Sequence, residues 1–182
     1  MPVSVAQLNR ELERIVLFLE QRQIPYLLIG GLALSLWGRP RTTLDLDFLI
    51  QVEERDLVRL QREAGKEKFK VDRHWGKWNP SLRTSQIRLR LGKVAVDLLL
   101  PRDAHNRAAF DNRRRCKVGK KYFSVVAPED FVLQKLKVGR PRDFEDAVTV
   151  LERMKGELNK SYLRKWAKKL RVVEELNYIL SF

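Results

Sequence analysis

Cysteine is almost missing from this chain of 182 residues: Cys116 is the single one. That excludes an internal disulfide and leaves no cysteine cluster for a metal. Set in RRRCKVGKK, it is an ordinary residue whose cationic neighbours would make its thiol more acidic. Long apolar runs are also missing, and none approaches the roughly 20 residues that a membrane-spanning helix needs. The first residues, PVSVAQLNRELERIV, carry charge within their first turns and lack the basic, apolar, small-residue order of a leader. The expectation is a cytoplasmic protein with no membrane partner. Repeats, low-complexity tracts and obvious linkers are absent. Acids are scarce relative to bases, 23 Asp and Glu against 37 Lys and Arg, for a formal net charge of +14. A surface of that sign attracts polyanions such as RNA, DNA or nucleotide phosphates, unless the basic runs only solvate the surface.

With 44% hydrophobic residues, the chain can bury a substantial core. Leu8, Leu12, Ile15, Val16 and Leu19 recur at helical spacing, which predicts a helix over 5–21. Tyr26–Ile29 reads as a short strand that stops at Gly30 and Gly31, followed by a helix up to Gly38. Pro40 breaks the chain, 44–52 is a second strand, and 53–64 a charged helix. Ile87, Leu89 and Leu91 alternate with polar residues, and Gly92-Lys93 separates them from an apolar run over 94–100, which is hairpin spacing. A helix is expected over 102–112, a strand or two over 117–126, and helices over 128–137, 142–154 and 162–170, the last with Trp166 on its apolar face. The sum is an α+β architecture, a mixed sheet flanked by helices. Residues 1–126 are expected to form the core, and 127–182 a helical part packed on it.

Two acids stand where apolar residues belong. In TTLDLDFLI, Asp45 and Asp47 are two apart on a strand, so they point to one face while Leu46 and Phe48 point to the other. A third, Asp97, interrupts the strand VAVDLLL. If the two strands are neighbours, three carboxylates converge and repel unless a cation intervenes. Hard divalent cations fit that need, with substrate phosphates completing the ligand set, so Asp45, Asp47 and Asp97 are candidate Mg²⁺ ligands. The alternative is that Asp45 and Asp47 lie in water at a sheet edge and that Asp97 is exposed or pairs with an arginine. Gly30 and Gly31, between a strand end and a helix start, would let a phosphate approach free backbone N–H groups, or would serve only as a tight turn. Arg39, Arg41 and Thr43, between that turn and the acids, are candidates for contact with triphosphate oxygens.

Taken together, Gly30-Gly31, the Arg41/Thr43/Asp45 pattern, the Asp45-Leu46-Asp47 strand and the later Asp97 resemble the nucleotidyltransferase superfamily that includes DNA polymerase beta. PEDFVLQKLKVGRPRDFEDAVTVL adds a resemblance to the helical segment of bacterial nucleotidyltransferases of the abortive-infection toxin type. Lys135, Arg140, Asp143 and Asp146 stand at its recurring positions. The resemblance implies two metal ions, Mg²⁺ or Mn²⁺, held by Asp45, Asp47 and Asp97. It implies an NTP bound at the glycines with Lys135 near the triphosphate, and transfer of a nucleoside monophosphate to an acceptor hydroxyl with release of pyrophosphate. RNA such as a tRNA end is the favoured acceptor, given the basic runs 113–121 and 164–171 with Tyr122 and Trp166 nearby; a protein hydroxyl or a small antibiotic is the other implied kind. Two other readings are a catalytically silent nucleic-acid-binding module and one member of a toxin and antitoxin pair with a cognate antitoxin protein. The chain departs from the pattern in having Gly31 and Leu32, where many relatives carry a serine after the first glycine. Asp143 and Asp146 also have a structural reading, support of the helix dipole and an i,i+4 pair from Arg142 to Asp146.

Overall fold

A computed structural model of the chain describes residues 3–181. The amphipathic N-terminal segment forms helix α1 (Val5–Gln21), capped by the Ser4 hydroxyl, which accepts from the Gln7 N–H. Then come β1 (Tyr26–Ile29), α2 (Gly30–Trp37), β2 (Asp45–Ile50) and α3 (Leu57–Lys66), the last entered through a single 3₁₀ turn at Glu54–Asp56. After β3 (Lys70–Val71) and the short α4 (Arg73–Trp78), the expected hairpin appears as β4 (Gln86–Leu91) and β5 (Val94–Leu99). Its turn is closed by Gly92 at φ +61°, a conformation that favours glycine. The chain continues through α5 (Ala104–Ala108), the hairpin β6 (Arg114–Val118) and β7 (Lys121–Val125), and the helices α6 (Pro128–Val138), α7 (Pro141–Arg153), α8 (Lys160–Leu170) and α9 (Val173–Leu180).

The strands make one mixed sheet in the order β3-β4-β5-β2-β1-β7-β6. β2 runs antiparallel to β1 and parallel to β5, with Leu46 opposite Val96 and Phe48 opposite Leu98. Because side chains alternate, Leu46, Phe48, Ile50, Val94, Val96 and Leu98 all turn to one face and are buried there in the main core. That core is continuous from Leu8 and Leu12 of α1 to Leu176 and Ile179 of α9, so the helical C-terminal part shares it. Burial of the β2 and β5 alternate positions fixes the register, since a one-residue slip would drive the aspartates into the core.

The opposite face is divided along its length. At one end Leu27 and Leu49 pack with Ala109 and Phe110 in a small second cluster, while at the other end the same face carries Asp45, Asp47 and Asp97. Helix α5, which leads into that cluster, is tied down by polar contacts. Buried Asp130 of α6 is bonded to the His105 ring at 2.9 Å and accepts from Asn112 at 2.8 Å and from the Tyr162 hydroxyl of α8 at 2.7 Å. Burial first, and then the shared carboxylate, raise the Tyr162 pKa, keeping the phenol a donor.

Two expectations need correction, on the helix over 102–112 and on Cys116. The helix expected over 102–112 is confined to Ala104–Ala108, and α4 and α9 had no clear periodic signal. The Cys116 thiol is half-buried, and burial raises its pKa against the smaller opposing effect of Arg114, so it is less acidic than its neighbours suggested. Trp166 is buried in the core and stands edge-on to the His105 ring. No helix among the described residues is long and apolar enough to cross a membrane.

The second cluster holds the apolar end of the acid-bearing face. Phe110→Ala should therefore cost about 3 kcal/mol of unfolding free energy, read from urea denaturation, by opening a cavity against Leu27 and Leu49.

Candidate active site

Parallel pairing of β2 with β5 sets Asp47 directly beside Asp97, with Asp45 two residues back on the same face. Asp97 is buried, while Asp45 is about half exposed. The convergence is visible in Asp47: burial foremost, then the charges of Asp97 and Asp45, push its pKa up to about 6.

A cation does intervene, and it is a side chain. Arg88 of β4 lies opposite Asp97 across the hairpin and grips it with two nitrogens, Nε donating to Oδ1 at 2.8 Å and Nη2 to Oδ2. The same Nη2 is 4.0 Å from Asp45 Oδ2. The bond from Asp97 raises the Arg88 pKa further, so the guanidinium is a permanent charge at the site. Arg88 was not among the sequence candidates, although the hairpin could have found it. Counting back from the Gly92-Lys93 turn pairs Leu91 with Val94 and Arg88 with Asp97.

The glycines pack closely around these acids. Helix α2 begins at Gly30 itself, with φ +64° there and no side-chain cap on its first N–H groups. A Cβ on Gly30 would stand 2.0 Å from Asp47 Oδ2, and one on Gly31 would stand 2.7 Å from the Thr43 side chain. Both positions thus require glycine for packing as well as for any access to the backbone. Thr43 in turn donates its hydroxyl to the Asp45 carbonyl at 3.2 Å, holding the start of β2 against the helix.

The remaining candidates belong to a network on the neighbouring helices. Lys135 of α6 bridges Asp143 and Asp146 of α7, 2.8 Å from each, and Arg41 reaches both oxygens of Asp146 at 3.2 and 3.3 Å. The two acids are buried. Asp146 is held below the usual carboxylate range by its bonds to Lys135 and Arg41, which outweigh its desolvation. The i,i+4 pairing from Arg142 is not the one formed; Arg41, 105 residues away in the chain, takes that place. Arg39 lies on the surface against Thr149 and Glu152 of α7, and Arg140 is exposed at the start of that helix. Lys135 is also near enough to Asp47 to lower its pKa slightly, so the network and the acids share one electrostatic neighbourhood.

Asp45 and Asp47 suit a hard divalent cation: two carboxylates on one face, one of them open to solvent, beside uncapped backbone donors. Asp97 does not, as it stands, because both of its oxygens are bonded to Arg88. Accordingly, among the described residues no group of three or more His, Cys, Asp or Glu side chains is arranged to hold a metal.

Solved structures share this architecture. An antigenic nucleotidyltransferase-like protein from Paracoccidioides brasiliensis superposes with a TM-score of 0.61 at 19% identity, over 100% of this chain and 95% of that one. The antibiotic-resistance factor ANT(2'')-Ia gives 0.56 at 11% identity, over 92% of this chain and 95% of that one. The lincosamide antibiotic adenylyltransferase LnuA, solved with lincomycin bound, gives 0.53 at 14% identity, over 78% and 94%. No protein-family model and no curated protein matches the chain. The fold is that of the nucleotidyltransferases, as the glycine and aspartate motifs implied.

Two outcomes follow from the crowding of charge. Asp47 in the folded protein holds a proton below about pH 6, whereas in the unfolded chain it ionises in the usual range. Its ionised form is therefore a penalty on the native state above pH 6, relieved as pH falls from 7 towards 4. Asp47→Asn should raise the metal-free melting temperature at pH 7, by up to about 3 kcal/mol of stability, and flatten the pH dependence between 7 and 4. Arg88→Gln should do the opposite, costing about 3 kcal/mol by leaving Asp97 unpaired. Mn²⁺ should then raise the melting temperature of that variant more than that of the wild type, because three free carboxylates remain.

Proposed function

We propose that this protein is a Mg²⁺-dependent nucleotidyltransferase that moves a nucleoside monophosphate from an NTP to an acceptor hydroxyl and releases pyrophosphate. The observation that carries the reading is the in-register placement of Asp47 beside Asp97, with Asp45 on the same face and the glycine-opened helix α2 adjoining it. Asp45 and Asp47 would hold the divalent cation, and the chemistry it would supply there is neutralisation of the triphosphate and polarisation of its α-phosphate. The first N–H groups of α2 donate to the phosphates. Arg41 and Lys135 turn from Asp146 toward the triphosphate, and Arg39 and Arg140 at the rim add positive charge. Asp97, once Arg88 releases it, would accept the acceptor proton and would join Asp45 and Asp47 in holding the cation. Little covalent chemistry is asked of the chain; its task is positioning and charge balance.

RNA, such as a tRNA end, is the acceptor that the basic surface favours. The fold likeness to ANT(2'')-Ia and LnuA, one an antibiotic-resistance factor and the other an antibiotic adenylyltransferase, supports a second reading in which the acceptor is a small hydroxyl compound.

Incubation with each labelled NTP, Mg²⁺ and total cellular RNA should transfer label to an RNA band. Asp45→Asn and Asp47→Asn should each reduce transfer by at least about 100-fold with the fold intact by circular dichroism. Full activity in either variant would overturn the reading, and label moving only to a small hydroxyl compound would select the second acceptor class.

A further inference from the structure

Beside the acids, but not containing them, lies a cavity of about 410 Å³ between α3, α4 and β4. Its walls include Arg73, Trp75, Lys77, Arg83 and Arg88, with Asp72 as the only acid among its lining residues. Asp72 is already spent: Oδ1 caps α4 by accepting from the Trp75 N–H at 2.9 Å, and Oδ2 accepts from Arg90 at 3.0 Å. Arg83 is braced by its bond to the Gly76 carbonyl at 2.7 Å, and Arg73 and Lys77 are exposed at the mouth. The lining is therefore strongly cationic. A polycationic ligand is repelled by it and an anionic one is drawn in.

The cavity also has an aromatic wall. The half-buried Trp75 ring lies 5.3 Å from the Arg88 guanidinium, so one side chain touches both Trp75 and Asp97. One turn further along α4, Trp78 is 76% exposed, with its indole N–H directed at the His74 ring nitrogen at 3.3 Å. An exposed tryptophan is unusual, and it stands on the same short helix as the cavity-lining Trp75. Aromatic faces alternating with Lys and Arg are what successive bases and phosphates of a single strand require. A cavity of this volume falls in the range of small-ligand sites and accommodates one nucleotide.

We propose that this cavity is a second binding site, separate from the glycine turn, that takes one phosphate-bearing nucleotide unit, stacked on Trp75 with its phosphate at Arg73, Lys77 and Arg83. In the transferase reading this unit is the end of the acceptor RNA, placed one guanidinium away from Asp97. A phosphate on that side competes with Asp97 for Arg88, so occupancy of the cavity favours the release of Asp97 that the reaction needs. The function of the site rests on the transferase reading; the binding does not.

The test is calorimetry at low salt without divalent ions, with a five-nucleotide single-stranded RNA and, separately, a ribonucleoside 5′-monophosphate. Trp75→Ala, and independently the surface pair R73Q/K77Q, should each weaken binding of the RNA about fivefold or more, the loss expected for one stacked base or two phosphate contacts. The same charge change between α7 and the start of α8, K155Q/K160Q, at exposed lysines outside both basic runs, should leave it within about twofold. Binding of the monophosphate with the same sensitivities would also support the site and show that a free nucleotide fills it. The proposal fails if neither probe binds, if Trp75→Ala and R73Q/K77Q bind like wild type, or if K155Q/K160Q weakens binding equally. NTP–Mg²⁺ affinity is measured alongside: its absence with RNA binding intact would overturn the transferase reading and leave the cavity site standing.

Discussion

Three carboxylates forced together on neighbouring strands are the constraint around which the rest of this molecule is arranged. The register that buries Leu46, Phe48, Val96 and Leu98 on one face leaves no choice but to set Asp45, Asp47 and Asp97 together on the other. Their repulsion is partly answered by Arg88, which the hairpin places opposite Asp97. It is only partly answered, since Asp47 still has its pKa raised to about 6. A site that remains electrostatically unsatisfied in the free protein has a favourable energy waiting for a cation, and that is how a stability cost becomes binding free energy.

The rest of the fold supports that face. Phe110 and Ala109 cover its apolar end, and the Asp130 network holds α5 in place from α6 and α8. Lys135, Asp143, Asp146 and Arg41 form a second buried cluster, two cations against two acids, joining the loop before β2 to α6 and α7. The loop from Gly38 to Leu44 is therefore pinned at its middle, by Arg41 to Asp146, and near its end, by Thr43 to the Asp45 carbonyl. Removing one partner from such a cluster leaves a buried charge unpaired, so its cost falls on the packing of α6, α7 and that loop.

Much of this was legible in the sequence, and for identifiable reasons. α1 and the β4–β5 hairpin follow from plain periodicity and a glycine turn, and both lie within a residue of the expected bounds. The aspartates stood out because acids in apolar strands need a reason. What pairs with Asp146 could not be read, because Arg41 is 105 residues distant and only the tertiary fold brings it there, whereas Arg142 was the local choice. α4 was invisible because six residues containing two tryptophans, a histidine and a glycine have no amphipathic stripe; it is fixed instead by the Asp72 cap and by the Asp72 N–H bonded to the Arg88 carbonyl. The alternative that Asp97 pairs with an arginine is the one realised, and counting back from the Gly92-Lys93 turn identifies that arginine as Arg88.

The distribution of free and paired cations bears on how tightly a triphosphate can be held. Of the cations that flank the acids, Arg41, Lys135 and Arg88 are already bonded to carboxylates, whereas Arg140 is exposed. Binding phosphate through the first three is an exchange of one charge-assisted bond for another, and the net gain is only the difference between phosphate and carboxylate as acceptors. The formal charge of +14 therefore overstates the attraction at the site itself, while it describes correctly the long-range pull of the surface on a polyanion. Selectivity can arise from this exchange. On the proposed reading, a ligand must present enough phosphate to displace Asp146 from Arg41 and Lys135 together, which a triphosphate can supply and a lone anion cannot.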